Sequence, residues 1–175
     1  MFGDASLQFT GGGSINSIAN GGTLELDTSR GFQPSLTAVS GLTSNAGTLN
    51  LDQTTFGSAL YGGMNLTFSG TLTNTGRINY GTGFVSNGND LVTMSGLVNT
   101  GVLLMIGGQT STITLNVLGA APGTLTGNVS MANNAVLQYG SGGITAIGSG
   151  AMLLLNGNAR VGLNGQADNG ALTHL

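Results

Sequence analysis

The chain has 175 residues, of which 39% are hydrophobic and only 5% are charged, and its formal net charge is −3 at pH 7. A typical globular domain carries about 25% charged residues, so the polar surface of this protein must consist mainly of hydroxyl and amide groups. The chain has three basic residues, all arginine, against six acidic ones, and this argues against nucleic-acid binding because so few basic groups cannot neutralise a run of phosphates. The high apolar fraction argues against a disordered chain.

Membrane and export signals are not expected. No run approaches the ~20 apolar residues of a membrane-spanning helix, and the longest apolar runs, Val102–Ile106 and residues 152–155, fit buried strands. Residues 1–5 have neither a charged nor an apolar leader region, so no signal peptide is expected. Cysteine is absent, so disulfides give no information about the compartment.

Along the chain, short segments alternate apolar and polar residues with period two, which predicts β-strands. The clearest are residues 23–26, 48–51, 66–68 and 113–117. Clusters of Gly, Asn and Ser separate them, as turns require. No helical pattern lasts three turns, and we expect no long helix.

A glycine followed by two small or apolar residues returns at nearly even spacing. The glycines are Gly22, Gly47, Gly70, Gly96, Gly123 and Gly150, and successive numbers differ by 25, 23, 26, 27 and 27. A period of this length is typical of a solenoid, in which each unit buries its apolar face on its neighbours. The residues after these glycines predict one inward ladder, which is Leu24, Leu49, Leu72, Val98, Leu125 and Met152 or Leu153.

Further positions repeat in register. Residues 66–76 match residues 92–101 with a single deletion. Other repeats are Asn20 with Asn45, Asp27 with Asp52, and Phe32 with Phe56 and Tyr80. The chain is therefore predicted to be all-β, a single-stranded right-handed parallel β-helix of about 6–7 coils, with residues 1–175 as one domain. An antiparallel sandwich or barrel is the competing fold, but it does not explain the repeat.

The strings of residues 70–79 and 96–101 resemble repeats of the passenger domains of bacterial autotransporters and filamentous-haemagglutinin-type exoproteins. The resemblance covers roughly residues 20–165. It implies a secreted or cell-surface β-helix of the outer membrane that serves as an adhesin or as its stalk. Because the chain lacks a secretion signal and a translocator barrel, we expect it to be a fragment of a larger exported protein.

Asp27 and Asp52 form the strongest acidic constellation, because their spacing places them on adjacent coils. They could contribute to a Ca²⁺ site or an acid cluster, but two ligands fall short of the six to eight that Ca²⁺ takes. The simpler interpretation is a pair of solvated corner carboxylates. The remaining acids, which are Asp4, Glu25, Asp90 and Asp168, are scattered, and His174 lies next to the end. We therefore predict no catalytic, metal or cofactor residues and no cofactor.

Repeated threonine and aromatic positions suggest two further binding surfaces, each with a simpler structural explanation. Thr23, Thr48, Thr71 and Thr124 precede inward residues and could form an ice-binding face, although threonine is also simply favoured on exposed strands. The aromatic positions Phe32, Phe56 and Tyr80 could stack on sugars, although an internal aromatic stack is the commoner arrangement.

The expected function is that of a non-catalytic structural or adhesive segment of a secreted or surface-exposed bacterial exoprotein. A carbohydrate-acting or carbohydrate-binding β-helix is the alternative, followed by an ice-binding solenoid. Host-cell or surface glycans and proteins are the expected partners, with no nucleic acid and no membrane span. No capping element is evident at either end, so end-to-end self-association is also expected.

Overall fold

The computed structural model describes residues 13–28, 37–53, 62–82, 88–166, 168–172 and 175. Every strand pairing within these ranges is parallel. Helix is limited there to two 3₁₀ segments, Thr37–Val39 and Gly170–Leu172. The prediction of an all-β parallel solenoid is confirmed and the antiparallel alternative is excluded, whereas the right-handed winding stays a prediction.

The chain passes back and forth between two main sheets. The seven-stranded sheet consists of β1 (Ser17–Ile18), β3 (Ser44–Asn45), β5 (Asn65–Asn74), β7 (Asp90–Asn99), β9 (Ile113–Ala120), β12 (Ala135–Ser141) and β15 (Arg160–Leu163). The six-stranded sheet consists of β2 (Thr23–Leu26), β4 (Thr48–Leu51), β6 (Arg77–Tyr80), β8 (Val102–Ile106), β11 (Asn128–Ala132) and β14 (Met152–Asn156). A third, two-stranded sheet pairs β10 (Thr124–Leu125) with β13 (Ala146–Ile147). Each coil thus gives one strand to each main sheet.

The apolar ladder inside the six-stranded sheet differs from the predicted one. In register, it runs through Leu24, Leu49, Ile78, Leu103, Val129 and Leu153. Leu72 and Leu125 are buried but belong to the other two sheets. Val98 and Met152 are 49% and 46% exposed. The prediction of one ladder was wrong because similar tripeptides occur in strands of different sheets.

The repeat itself is confirmed in the pairing of β5 with β7. Leu66 lies opposite Val92, Asn74 lies opposite Asn99, and the register shifts by one residue between Phe68 and Thr71. This irregularity accommodates the deletion seen in the sequence, because one strand carries an extra residue there. The Asn20–Asn45 match was misleading, since Asn45 pairs with Ile18 on one side and with Asn74 on the other.

Successive coils pack very closely at the corner between the two main sheets. Gly47, Gly76 and Gly101 occupy this corner in successive coils. A Cβ atom on Gly76 would lie 2.1 Å from the carbonyl oxygen of Gly47, and one on Gly101 would lie 2.1 Å from that of Gly76. The same carbonyls accept hydrogen bonds from Arg77 N and Val102 N, both at 2.8 Å. Glycine is required here because the backbones approach too closely for a side chain.

A ladder of buried asparagines reinforces this corner. Asn45 Nδ2 donates to Asn74 Oδ1 at 2.7 Å, and Asn74 Nδ2 donates to Asn99 Oδ1 at 2.6 Å. The same amide nitrogens also donate to the carbonyls of Arg77 and Val102. The corner motif is therefore Asn-x-Gly, and the amide groups of Asn45 and Asn74 each join their own coil to the next.

The C-terminal segment covers part of the last coil. Val161 N of β15 donates to Asn169 Oδ1 at 2.8 Å, and Ile144 N donates to Ala171 O at 2.8 Å. Ala171 is fully buried. The expectation that neither end has a cap is thus wrong for the seven-stranded sheet, because residues 168–172 pack on this end and Asn169 accepts a hydrogen bond from its terminal strand, β15. Within the described ranges, β14 pairs with β11 alone.

Replacing the corner glycine by alanine, Gly76→Ala, should lower the free energy of unfolding by about 1–3 kcal/mol, because the new methyl group must push two coils apart. Gly123→Ala is the matched control, since a Cβ there meets no atom within 4 Å. Urea unfolding followed by circular dichroism measures both. Equal stability of the two variants would contradict the close-packing argument.

Candidate functional site

Asp27 and Asp52 follow β2 and β4, whose last residues, Leu26 and Leu51, lie opposite each other. The two aspartates therefore stand on adjacent coils, as the sequence predicts. They are only 1% and 5% exposed, so the interpretation as solvated carboxylates was wrong. Burying a carboxyl group is unfavourable unless it is hydrogen-bonded or neutralised, and its partners are therefore informative.

Each of these aspartates accepts hydrogen bonds from the neighbouring coil. Asp52 Oδ1 accepts from Thr28 N at 3.1 Å and from Thr28 Oγ1 at 2.9 Å. Asp27 Oδ1 accepts from Gln53 N at 2.6 Å. Asp52 also has a positive φ of 52°, a conformation that aspartate tolerates better than most residues. The two side chains thus fasten the ends of β2 and β4 to each other.

Asp90 completes the site, although the sequence offered little reason to select it. It is the first residue of β7 and is 1% exposed. Its Oδ1 accepts from Gly63 N at 2.6 Å and from Met64 N at 2.9 Å. Asp90 thereby joins β7 to the segment before β5.

The carboxyl groups of Asp52 and Asp90 lie close enough for each to affect the pKa of the other. The Oδ2 atoms of Asp52 and Asp90 are both buried, and neither has a hydrogen-bond partner among the described residues. Two ionised carboxylates this close disfavour each other, so the pair holds a proton more tightly than a free carboxyl does. Burial, followed by the charge of Asp90, raises the pKa of Asp52 to about 8. Burial also raises the pKa of Asp90, and its hydrogen bonds oppose this effect.

Tyr80 lies close to this pair in the core. Its side chain is fully buried, and its hydroxyl donates to Thr114 O at 3.4 Å. Burial, together with the charges of Asp90 and Asp52, raises the pKa of Tyr80 well above its usual value. Tyr80 is therefore not available for stacking on a sugar, and Phe32 and Phe56 lie outside the described residues.

The geometry of the Asp52–Asp90 pair does not suit glycoside hydrolysis. Hydrolytic carboxyl groups flank the scissile bond at separations of about 5–5.5 Å or about 6.5–9.5 Å. Asp52 and Asp90 are both buried, and Oδ1 of each accepts backbone amides. This arrangement can retain a proton and join adjacent coils, but buried carboxyl groups cannot flank the bond of a substrate.

The other predicted residues are dispersed. Glu25 is half-buried on β2, and Asp168 is exposed and accepts from Gly170 N. Asp4 and His174 lie outside the described residues. Within the part of the chain that the structure describes, no group of three His, Cys, Asp or Glu side chains is placed to hold a metal ion.

The predicted threonine face does not form. Thr23 pairs with Thr48 in the six-stranded sheet, but Thr71 lies on β5 opposite Gly96, and Thr124 lies on β10 opposite Ala146. The four threonines thus lie on three different sheets. They do not make the flat array that an ice-binding surface would require.

No family model matches this chain, and no curated protein or solved structure does either. Among the described residues, no helix has the length and apolar character needed to cross a membrane.

The raised pKa of Asp52 predicts an unusual pH dependence. In the unfolded chain this carboxyl loses its proton near pH 4, whereas the folded protein retains it to about pH 8. The folded state therefore binds more protons between these values, and its stability falls as pH rises, by up to about 1.4 kcal/mol per pH unit.

Asp52→Asn should remove this contribution, because the amide keeps an acceptor for Thr28 and a donor for Asp90 and carries no titrating proton. Asp168→Asn, on an exposed aspartate, is the control. The stability of both proteins is measured by thermal unfolding at several pH values from 5 to 8. As the pH increases, Asp52→Asn should become more stable relative to the wild type. Parallel curves for the wild type and Asp52→Asn would exclude a shared proton.

Proposed function

We propose that the chain is a non-catalytic structural and adhesive segment of a secreted or surface-exposed bacterial exoprotein, at the outer membrane or released from the cell. The observation that carries this proposal is that the buried polar groups connect one coil to the next. Asn45 and Asn74 do so at the corner, and Asp27, Asp52 and Asp90 do so at the strand ends. The buried amide and carboxyl side chains thus hold successive coils together, as a shaft requires.

The outer face of the six-stranded sheet offers a contact surface. Its columns begin with Thr23 and Glu25 on β2 and reach Met152 and Leu154 on β14. Met152 and Leu154 are 46% and 50% exposed. Val102 and Leu104, which are half-buried, stand in the same two columns. Exposed apolar side chains that lie side by side on a sheet surface favour contact with another macromolecule. A protein or glycan of a host-cell surface is the partner that we expect.

The carbohydrate alternative has less support. A catalytic version would need accessible carboxyl groups, but Asp27, Asp52 and Asp90 are all buried. The ice-binding alternative would need the aligned threonines that lie on separate sheets. The non-catalytic adhesive segment is therefore favoured over both.

The adhesive role is tested with beads that carry the purified chain. Wild-type beads should bind to epithelial cells or to a glycan array, and the double variant Met152→Ser/Leu154→Ser should reduce binding at least about fivefold, since the apolar contact is lost. Leu118→Ser is the control, because Leu118 is equally exposed, at 55%, on a different sheet. Release of reducing sugar from a polysaccharide panel, or binding that is unaffected in the double variant, would contradict the proposal.

End-to-end self-association is the second consequence. The edge of β14 that faces away from β11 has no strand partner in the described ranges, and such edges pair with other strands. Analytical ultracentrifugation should show oligomers that grow with concentration. Leu154→Lys should shift the distribution to monomer because charge on an edge strand opposes pairing, whereas Leu118→Lys should not. A monodisperse wild-type monomer at all concentrations would contradict this expectation.

A further inference from the structure

The first and the last described coils share a corner that differs from the corners between them. β2 begins five residues after the end of β1, and β14 begins five residues after the end of β13, whereas the corresponding step is three residues in the coils between. Gly22 N donates to Ala19 O at 2.9 Å in the first corner, and Ala151 N donates to Gly148 O at 3.1 Å in the last. The third residue of each turn is a glycine with a positive φ, of 78° and 77° respectively. The two end coils therefore have the same corner length and the same kind of turn.

The last coil leaves part of the apolar core uncovered. Leu153 and Leu155 of β14 are half-buried, and Ile147 of β13 is 39% exposed. The side chains opposite them in the preceding coil are at most 2% exposed, and these are Val129, Met131 and Leu125. Among the described strands, β13 pairs only with β10, and β14 pairs only with β11. A further coil of matching shape would complete the burial of these apolar side chains, which is favourable.

The C-terminal cap leaves the edges of β13 and β14 open. Residues Gly170–Leu172 pack on β15 and β12, and Ala171 O accepts a hydrogen bond from Ile144 N, just before β13. Both residues of β13 itself are exposed. The open surface at this end therefore consists of two strand edges and the corner turn between them.

The N-terminal coil presents a complementary surface. β1 pairs with β3, which pairs with the second half of β5, so β1 stands next to the corner and not in line with β15. Among the described strands, β1 pairs with β3 alone and β2 with β4 alone. Leu24 of β2 begins the inward column that ends at Leu153, and Leu24 is itself half-buried. The strands of the first coil thus match the two open edges of the last coil and do not compete with the cap for β15.

We propose that the last coil of one copy binds the first coil of a second copy, so that the chain assembles head to tail. β1 of the second copy pairs with β13 of the first, and β2 pairs with β14, parallel and in the register of the coils within each copy. Leu24 of the second copy covers Leu153, and the matching turns stack at the corner. Such an interface uses a different surface on each partner and does not close on itself, so it gives filaments. Head-to-tail pairing rests on the end-to-end association proposed above and specifies its two surfaces and its direction.

Pairing of two C-terminal ends is the alternative arrangement. The two β14 edges would then run antiparallel, so the corner before one β14 would meet the far end of the other. The matching turns would not stack, and the pairing would differ from the parallel pairing of β14 with β11. Head-to-tail pairing is favoured because it repeats the contact that each coil already makes with the next.

Cysteine cross-linking tests the register, because the chain has no cysteine of its own. In the head-to-tail register Thr23 and Met152, which are both exposed, lie opposite each other, with Cα atoms about 4.8 Å apart, a distance that a disulfide spans. A mixture of the single variants Thr23→Cys and Met152→Cys should form a mixed disulfide dimer under mild oxidation, identified by mass spectrometry. Leu154→Cys, two residues farther along β14 and 50% exposed, is the matched control. It should cross-link to Thr23→Cys at least about fivefold less, because the Cα atoms are then too far apart.

Equal cross-linking of Met152→Cys and Leu154→Cys to Thr23→Cys would overturn the proposed register. Homodimers of Met152→Cys that form as fast as the mixed dimer would overturn the direction. Ultracentrifugation of the wild type separates these failures from a failure of self-association. Oligomers without the mixed disulfide contradict head-to-tail pairing alone, whereas a monodisperse monomer contradicts both, and the bead assay for adhesion is independent of either result.

Discussion

The close stacking of one coil on the next is the constraint on which the rest of this structure depends. Parallel strands of successive coils hydrogen-bond at a separation of about 4.8 Å, and at the corner the backbones come too close for any side chain. A Cβ atom placed on Gly76 or Gly101 would lie 2.1 Å from a carbonyl oxygen of the preceding coil, which is too close for any residue other than glycine. Once these corners stack, the inward residues of each coil are placed above one another, and the apolar ladder from Leu24 to Leu153 follows.

Stacking also decides the role of the polar residues. A chain with 5% charged residues has few groups to satisfy its buried amides and carbonyls, and it uses side chains that reach across coils. Asn74 both donates to and accepts from its equivalents, while burial raises the pKa values of Asp52 and Asp90 so that the pair retains a proton in the core. The surface is left with hydroxyl, amide and scattered apolar groups.

The features that deviate from the repeat are the ones with distinct chemistry. Asp90 meets Asp52 across the junction of two sheets rather than along one column, so no periodic spacing marks it. Two successive coils carry a third strand, β10 and β13, and Leu125 stands where the preceding coils have the corner asparagine, so Asn99 Nδ2 has no partner among the described residues.

The sequence by itself determined the parallel solenoid, the strand segments, the β5–β7 alignment and the adjacency of Asp27 and Asp52, because these depend on local alternation and on a period that stacking imposes. The tertiary structure alone decided which glycines stack, why Leu72 and Val98 face different environments, and that Asp52 is buried against Asp90. The reason is physical: each coil contains strands of more than one sheet, so equal spacing along the chain does not fix which sheet or which face a residue occupies. Asp52 and Asp90, by contrast, stand beside strands of different sheets, and their separation in sequence follows no period.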